Sequence, residues 1–147
     1  MDDRRLLREL PRDEALRLLA EARMGRVVFT QRALPAIRPV NHAFVDGHLI
    51  IRTNLGSALA SAVGGPGSVV AYEADAIDAD TRTGWSVVVT GMARLVPDPV
   101  EKSRYEGLVE PWIDNSADCV LRIHPDIVNG YRLVAAGETM PAGPVAA

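Results

Sequence analysis

The dipeptide Asp46-Gly47 constrains the fold of this chain more than any other local feature. It stands between two apolar runs, AFV at residues 43–45 and HLIIRT at residues 48–53. Asp-Gly at such a junction favours a two-residue β-turn of the primed type, because both residues tolerate positive φ. The sequence therefore predicts two antiparallel neighbouring strands here.

Further β-branched and aromatic runs extend this pattern along the chain. Strands are predicted at residues 26–30, 36–45, 48–53, 68–75, 84–96 and 118–133. Helices are predicted at 11–22, with Leu16, Leu19 and Ala20 on the apolar face, at 57–63, and from Asp98 onward. No long crossover helix joins successive strands, which disfavours a parallel sheet. The sequence therefore predicts an all-β dominated fold with short helices, a six-stranded antiparallel barrel.

Length and composition indicate one globular domain. The chain has 147 residues, of which 48% are hydrophobic and 24% charged. We expect a single domain at 1–135 and a flexible, Gly/Pro-rich tail at 136–147. The net charge of -3 without a basic block predicts no nucleic-acid partner. The charged N-terminus and short apolar runs predict no membrane segment and a cytoplasmic location, with which the single Cys119 agrees.

A polar junction follows the second strand of the predicted hairpin. Arg52, Thr53 and Asn54 arrive together where the strand ends, and Ser57 opens the predicted helix. One interpretation is a helix cap, in which a side chain satisfies free backbone N–H groups. The other is an anion site, to which the helix start, Arg52 and Ser57 would contribute donors suited to a phosphate ester. Composition alone leaves both interpretations open.

The sequence gives little indication of a metal site, a nucleophilic serine or an aromatic ligand contact. The three histidines have no metal-ligand spacing and Cys119 has no second thiol nearby, so no metal site is predicted. No strained-elbow motif supports a nucleophilic serine. A Trp at the start of a strand, as Trp85 is, most often packs in a core or an interface, although it could border a planar ring.

The order of several segments resembles a known family. These segments are GRVVF, RPVNHAFVDGHLIIRTNLGSALA, VVAYEAD, TGWSVVVTGMARLV and VLRIHPDIVNGYRL. From residue 13 to residue 133 the chain resembles the pyridoxamine 5'-phosphate oxidase-like superfamily, the flavin-binding split β-barrels, and especially its short actinobacterial branch. The resemblance implies a six-stranded antiparallel split β-barrel, a homodimer, and a flavin at the dimer interface.

The resemblance also implies roles for particular residues. Arg52, Thr53 and Ser57 would hold the cofactor phosphate, with Asn54 at the same junction. The strand at residues 38–41 would run beside the isoalloxazine ring. The implied cofactor-binding set is Arg38, Pro39, Val40, Asn41, Arg52, Thr53, Asn54, Ser57, Trp85 and Ser86, the last two with the partner chain as a candidate source.

Two departures from the family pattern are visible. Ala58 stands where relatives commonly carry a Lys, which removes a charge-assisted phosphate contact of about 1.5–3 kcal/mol. The chain also lacks the longer basic C-terminal segment of the vitamin-forming oxidase, so pyridoxine phosphate is not the expected substrate.

The resemblance implies a flavin-dependent oxidoreductase that acts on an unidentified small molecule. The cofactor would be FMN or, as the alternative, the deazaflavin coenzyme (F-420), whose charged tail would need a basic groove. Candidates for that groove are Arg23, Arg26, Arg32 and Arg38. No catalytic acid or base is predicted, and Arg38, His42 and Ser86 are candidates only for polarising a substrate. The alternatives are a non-catalytic flavin-binding, storage or sensing module and a cofactor-free dimeric scaffold.

Overall fold

The computed structural model describes residues 4–54, 57–112 and 118–137, and the predicted tail lies outside them from position 138 onward. The strands are β1 (Arg5–Leu10), β2 (Met24–Gln31), β3 (Leu34–Asn41), β4 (Ala43–Val45), β5 (His48–Thr53), β6 (Ser68–Asp78), β7 (Thr83–Leu95), β8 (Cys119–Ile123) and β9 (Ile127–Ala135). The helices are α1 (Arg12–Glu21), α2 (Ala58–Val63) and α3 (Pro99–Glu106). None of these helices is long and apolar enough to cross a bilayer.

The described strands form one antiparallel sheet in the order β3-β2-β6-β7-β8-β5-β4. The long strand β7 pairs with β6 on one side and, on the other, first with β9 and then with β8. Strand β9 in turn pairs with β1. The sheet curls around an apolar core, and the predicted fold class, an antiparallel split β-barrel with short helices, is confirmed.

The hairpin prediction at Asp46-Gly47 is also confirmed. Val45 pairs with His48, and the two turn residues have φ values of 51° and 81°. Positive φ at both central positions is the geometry of a primed turn, whose twist matches that of the flanking strands. The turn therefore fixes the register of β4 against β5.

Hydrogen-bonding side chains begin two of the helices. The Ser57 Oγ accepts a hydrogen bond from the Ala60 N–H at 3.0 Å, and the Asp98 Oδ1 accepts one from the Val100 N–H at 3.0 Å. Side-chain acceptors at these positions satisfy backbone N–H groups that have no partner within the helix. The predicted helix starts are thus confirmed for α2 and α3.

The core lies on both faces of the curled sheet. Inside it, α1 packs through Ala15, Leu18 and Leu19. The predicted apolar face of α1 was wrong at Ala20, which is exposed, because the helix turns positions 15, 18 and 19 inward together. On the opposite face α3 covers β5 and β8 with a smaller cluster that consists of Ile50, Val96, Tyr105, Val109 and Val120.

Strand boundaries differ from prediction where long-range pairing decides them. The segment at 36–45 divides at His42 into β3 and β4, and the segment at 118–133 divides at 124–126 into β8 and β9. The charged segment RLLREL was not predicted as a strand, yet it forms β1 because its backbone pairs with β9. Strand β6 extends to Asp78, whose side chain accepts hydrogen bonds from two N–H groups in the turn.

Candidate functional site

One cleft of about 210 Å³ lies between β3, the end of β5 and the start of α2. It gathers eight of the ten predicted cofactor residues, namely Arg38, Pro39, Val40, Asn41, Arg52, Thr53, Asn54 and Ser57. The other lining residues within the described part of the chain are Ala58, Leu59, Pro111 and Trp112. Pro111 and Trp112 were not predicted, and a Trp in a polar loop is the only sequence signal that could have indicated them.

The cleft wall is an edge strand. Within the described residues β3 pairs with β2 alone, so its outer edge carries backbone groups that no neighbouring strand uses. Pro39 lies in this strand, and an edge strand is a position where a residue without a backbone N–H is tolerated. At the end of the strand the Asn41 Nδ2 donates to the Glu110 carbonyl at 2.5 Å. This contact fixes the loop that follows α3 against the cleft.

The buried His42, which follows β3, links the cleft wall to α1 and β6. The His42 Nε2 donates to the Leu19 carbonyl at 2.9 Å, and its Nδ1 lies 2.5 Å from the Tyr72 hydroxyl. Because a carbonyl can only accept, Nε2 carries the hydrogen and Nδ1 accepts from Tyr72. Burial lowers the pKa of His42, against the opposing effect of the Leu19 hydrogen bond, and raises that of Tyr72. A neutral pair therefore holds α1 and β6 beneath Val40, whose carbonyl is 3.3 Å from the Tyr72 hydroxyl.

Gly25 makes room for this pair. A Cβ at this position would lie 2.5 Å from the Tyr72 ring and 2.5 Å from the Glu73 carbonyl oxygen. Helix α1 ends at Glu21, and Gly25 is buried within β2. The glycine is thus needed for close approach of β2 to β6.

Arg52 joins the cleft to the end of α3. Its Nη1 donates to the carbonyls of Glu106 at 3.3 Å and Val109 at 3.2 Å, and its Nη2 lies 3.4 Å from the Glu106 carboxylate. The side chain is 17% exposed. A cation is favourable at the C-terminal end of a helix, where backbone carbonyls lack helical partners. Arg52 therefore has a structural role that the sequence did not indicate, beside any role toward a ligand.

The hydroxyl groups at the junction form a short chain. The Thr53 Oγ1 donates to the Ser57 Oγ at 2.9 Å, and the Ser57 Oγ also accepts from the Ala60 N–H. The helix-cap interpretation of this junction is thus confirmed. The hydroxyl hydrogen of Ser57 has no acceptor among the described residues, so capping leaves Ser57 able to donate.

The cleft carries cationic, apolar and aromatic groups. Arg38 on β3 and Arg52 at the end of β5 bring two guanidinium groups, and the carboxylate of Glu106 lies beside the guanidinium of Arg52. Val40, Leu59 and the half-exposed Trp112 supply apolar and aromatic surface. This arrangement suits a planar, partly apolar molecule that carries an anionic group.

Trp85 and Ser86 do not line the cleft within one subunit. They lie in β7, where Trp85 pairs with Arg132 and Ser86 with Tyr131. Successive residues of a strand face opposite sides of the sheet, and Trp85 packs against the inner core. Their contribution to a cofactor site, with the partner chain as the candidate source, stays a prediction.

The predicted basic groove is not gathered in one place. Among the four arginines proposed for it, Arg38 is the one that lines the cleft as far as the described residues show. Arg26 lies 3.6 Å from the carboxylates of both Glu73 and Asp75. In the same residues no group of three or more His, Cys, Asp or Glu side chains is placed to hold a metal ion.

Comparison with known proteins identifies relatives along nearly the whole chain. The model of the pyridoxamine 5'-phosphate oxidase family matches residues 11–132. An uncharacterized protein of Mycobacterium tuberculosis, Rv0080, is 55% identical over 134 residues, which cover 89% of this chain and 88% of the relative. The solved structure of a FAD-binding protein from Mycobacterium smegmatis is 29% identical, with a TM-score of 0.66 and coverage of 86% of this chain and 98% of that one. A Corynebacterium glutamicum protein named as a candidate pyridoxamine 5'-phosphate oxidase is 30% identical, with a TM-score of 0.74 and coverage of 88% and 99%.

Proposed function

The chain belongs to the pyridoxamine 5'-phosphate oxidase family, and we propose that it is an oxidoreductase that binds a flavin, FMN in the first instance, in the cleft beside Arg52. When bound, the flavin supplies the hydride chemistry, while the protein supplies binding and orientation. The substrate would then be a small molecule that can stack on the flavin ring.

The distribution of charge in the cleft carries this proposal. Arg52, Thr53 and Ser57 together form a cationic, hydroxyl-rich end that suits a phosphate. The backbone edge of β3 and the Asn41 side chain border the opposite wall, where the polar edge of a ring would find donors and acceptors. The relative from Mycobacterium smegmatis is named as a FAD-binding protein, which supports a flavin as the ligand class.

A second subunit is part of the proposal. The cleft volume of about 210 Å³ is below the roughly 300–1,000 Å³ of pockets that enclose a ligand. A flavin held here would extend beyond the cleft, so a partner chain is needed to cover the remainder of the ring. We therefore propose that the site is completed in a homodimer.

The outer face of the sheet supports this assembly. A cross-strand row runs in register from β3 to β9 through Ile37, Val28, Ala71, Thr90 and Ile127. Its two ends are 55% and 57% exposed, as expected of an apolar surface that a second copy covers. Ile37 is adjacent in sequence to Arg38 of the cleft. Light scattering should give twice the mass of one chain, and a single-chain mass at micromolar concentration would contradict the dimer.

Replacement of Ala58 by Lys tests where the phosphate lies. Ala58→Lys should tighten FMN binding about tenfold, because it adds a charge-assisted contact at the cationic end of the cleft. Ser61→Lys adds the same charge to an exposed position of α2 and should change affinity by less than about twofold. Titration of flavin fluorescence measures both variants.

Riboflavin, which lacks the phosphate, is the matched ligand for the same titration. Its affinity should be equal in the parent and in Ala58→Lys. An equal gain for riboflavin, or an equal gain from Ser61→Lys, would show that the flavin phosphate does not lie beside residue 58. FAD and the deazaflavin coenzyme, titrated in parallel, identify the preferred cofactor.

Spectroscopy of the loaded protein separates the three functional classes. An oxidoreductase should lose its flavin absorbance on addition of a reduced nicotinamide and regain it with an electron acceptor. A carrier or sensor would bind the flavin without this cycle. Failure to bind FMN, FAD or the deazaflavin would leave the cofactor-free scaffold as the function and refute the proposal.

A further inference from the structure

A second cavity of about 370 Å³ lies at the opposite end of β5 from the cleft. His48 begins β5 and Arg52 stands four residues later, which corresponds to about 13 Å along a strand. Helix α3 lies between the two places, since Glu106 contacts Arg52 and Glu101 pairs with Arg122. The residues that line the second cavity are His48, Met92, Arg94, Arg122, His124 and Asp126.

Two arginines on neighbouring strands line this cavity side by side. Arg94 of β7 pairs in register with Arg122 of β8, and like charges directly opposite on neighbouring strands repel each other. Glu101 offsets the charge of Arg122, whereas the exposed Arg94 has no hydrogen-bond acceptor or carboxylate partner among the described residues. Within the described part of the chain, Arg94 thus brings a guanidinium group without a carboxylate partner to the cavity, while Asp126 also lines it and carries a negative charge.

Two imidazoles also line the cavity. The His48 Nδ1 lies 3.2 Å from the Asp46 carbonyl, the His124 Nδ1 lies 2.8 Å from the Asp126 carboxylate, and the ring centroids are 5.2 Å apart. Because both partners are acceptors, Nδ1 carries the hydrogen in each ring. Nε2 is then the nitrogen of each ring that remains for a ligand.

The carboxylate at the cavity is already engaged. Besides the hydrogen bond from His124, the Asp126 side chain accepts the Met92 N–H at 3.3 Å. It therefore holds the corner between β8 and β9 and orients the His124 ring. Other charged groups that the described residues bring near the cavity are Glu101, on Arg122, and the Asp46–Arg104 pair, joined at 2.8 Å beside the hairpin turn. Arg12 of α1 also reaches this corner, where its Nη2 donates to the Pro125 carbonyl at 2.6 Å.

We propose that this cavity binds an oxyanion of the sulfate or phosphate type, either free or as the phosphate of a monoester. Arg94 and Arg122 supply the forked guanidinium donors that match such oxygens. A metal cation at the two imidazoles is disfavoured because the same two guanidinium groups would repel it. The site shares no lining residue with the flavin cleft, and its test does not depend on flavin binding.

The guanidinium groups are the donors expected to hold the anion. An imidazole whose Nδ1–H is already donated has only a lone pair at Nε2, which accepts hydrogen bonds. Sulfate keeps its two charges throughout the neutral range and is therefore the probe.

Titration calorimetry of sulfate into the full chain tests the site. Arg94→Ala should weaken binding at least tenfold both near pH 6 and near pH 8, because the guanidinium group keeps its charge at both pH values. Arg8→Ala, which removes one exposed arginine from β1, should change the affinity less than twofold. Circular dichroism checks that each variant is folded.

The choice of ligand distinguishes a free oxyanion, a phosphate monoester and a metal cation as the occupant of the cavity. Equal affinity for inorganic phosphate and phenyl phosphate supports a free oxyanion, and tighter binding of phenyl phosphate supports a monoester. Absence of sulfate binding at both pH values would overturn the proposal, as would equal weakening by Arg8→Ala. Binding of Zn²⁺ that His124→Gln abolishes, without sulfate binding, would replace it by a cation site.

Discussion

Replacement of Arg52 by alanine is expected to lower the affinity for FMN about 30-fold and the free energy of unfolding by about 2 kcal/mol. The affinity falls because the cationic end of the cleft loses its guanidinium group. Stability falls because the carbonyls of Glu106 and Val109 lose their donor at the end of α3. Flavin fluorescence titration and denaturant unfolding measure the two effects separately.

Glu106→Gln separates the two roles of Arg52. The substitution keeps the size of the side chain and removes the negative charge that lies 3.4 Å from the guanidinium. We expect it to cost about 1 kcal/mol of stability or less, since Glu106 is one-third exposed, and to leave FMN affinity equal or higher. If Glu106→Gln weakens FMN as strongly as Arg52→Ala does, Arg52 acts on the cleft only by positioning α3.

Replacement of Gly91 by alanine is expected to lower the free energy of unfolding by about 4 kcal/mol and the melting temperature by about 12 °C. A Cβ at this position would lie 1.7 Å from the His124 carbonyl oxygen and 2.9 Å from the Asp126 carboxylate. The carbonyl belongs to the backbone corner between β8 and β9, where the His124 N–H donates to the Met92 carbonyl at 3.0 Å. That corner cannot withdraw without breaking the pairing of β7.

Gly65→Ala is the control for this substitution. A Cβ there meets no atom within 4 Å, so stability should change by less than about 0.5 kcal/mol. Thermal unfolding followed by circular dichroism compares the two variants. Equal melting temperatures would mean that the corner is free to relax and that the close approach at Gly91 is not required for the fold.

Local sequence was sufficient for the elements whose cause is local. Asp46-Gly47 specifies its hairpin through the φ values that its own two residues adopt, and Ser57 and Asp98 cap helices within four residues of themselves. The alternation of side chains along β7 likewise places Val87 and Val89 on the buried face. In each case the decisive interaction joins positions close together in the chain.

Elements fixed by distant partners escaped prediction. Strand β1 has the composition of a solvated segment, and its conformation depends on pairing with β9, more than 100 residues later. The division at residues 124–126 depends on β7 changing its partner from β9 to β8. Pro125 is a local signal for that division, because a proline is disfavoured inside a paired strand. The segment of β1 contains no comparable signal for its pairing.

In the candidate site, too, some residues could be predicted from local sequence and others depend on distant contacts. The strand at residues 38–41 and the side chains of Arg52, Thr53, Asn54 and Ser57 line one cleft, and one hairpin lies between them in the chain. Trp112 reaches the cleft through the loop after α3, which Asn41 pins from 69 residues away. The pairing of Arg52 with Glu106 likewise spans 54 residues and left no trace in local composition.

The free edges of the sheet discourage other copies of the chain from adding strands. Along β3, Pro35 and Pro39 remove N–H groups that an incoming strand would need, and at the other end β4 offers three residues. Strand β1 presents charges at Arg5, Arg8 and Glu9, which oppose a flat apolar contact. These features disfavour the addition of strands at the described edges of the sheet.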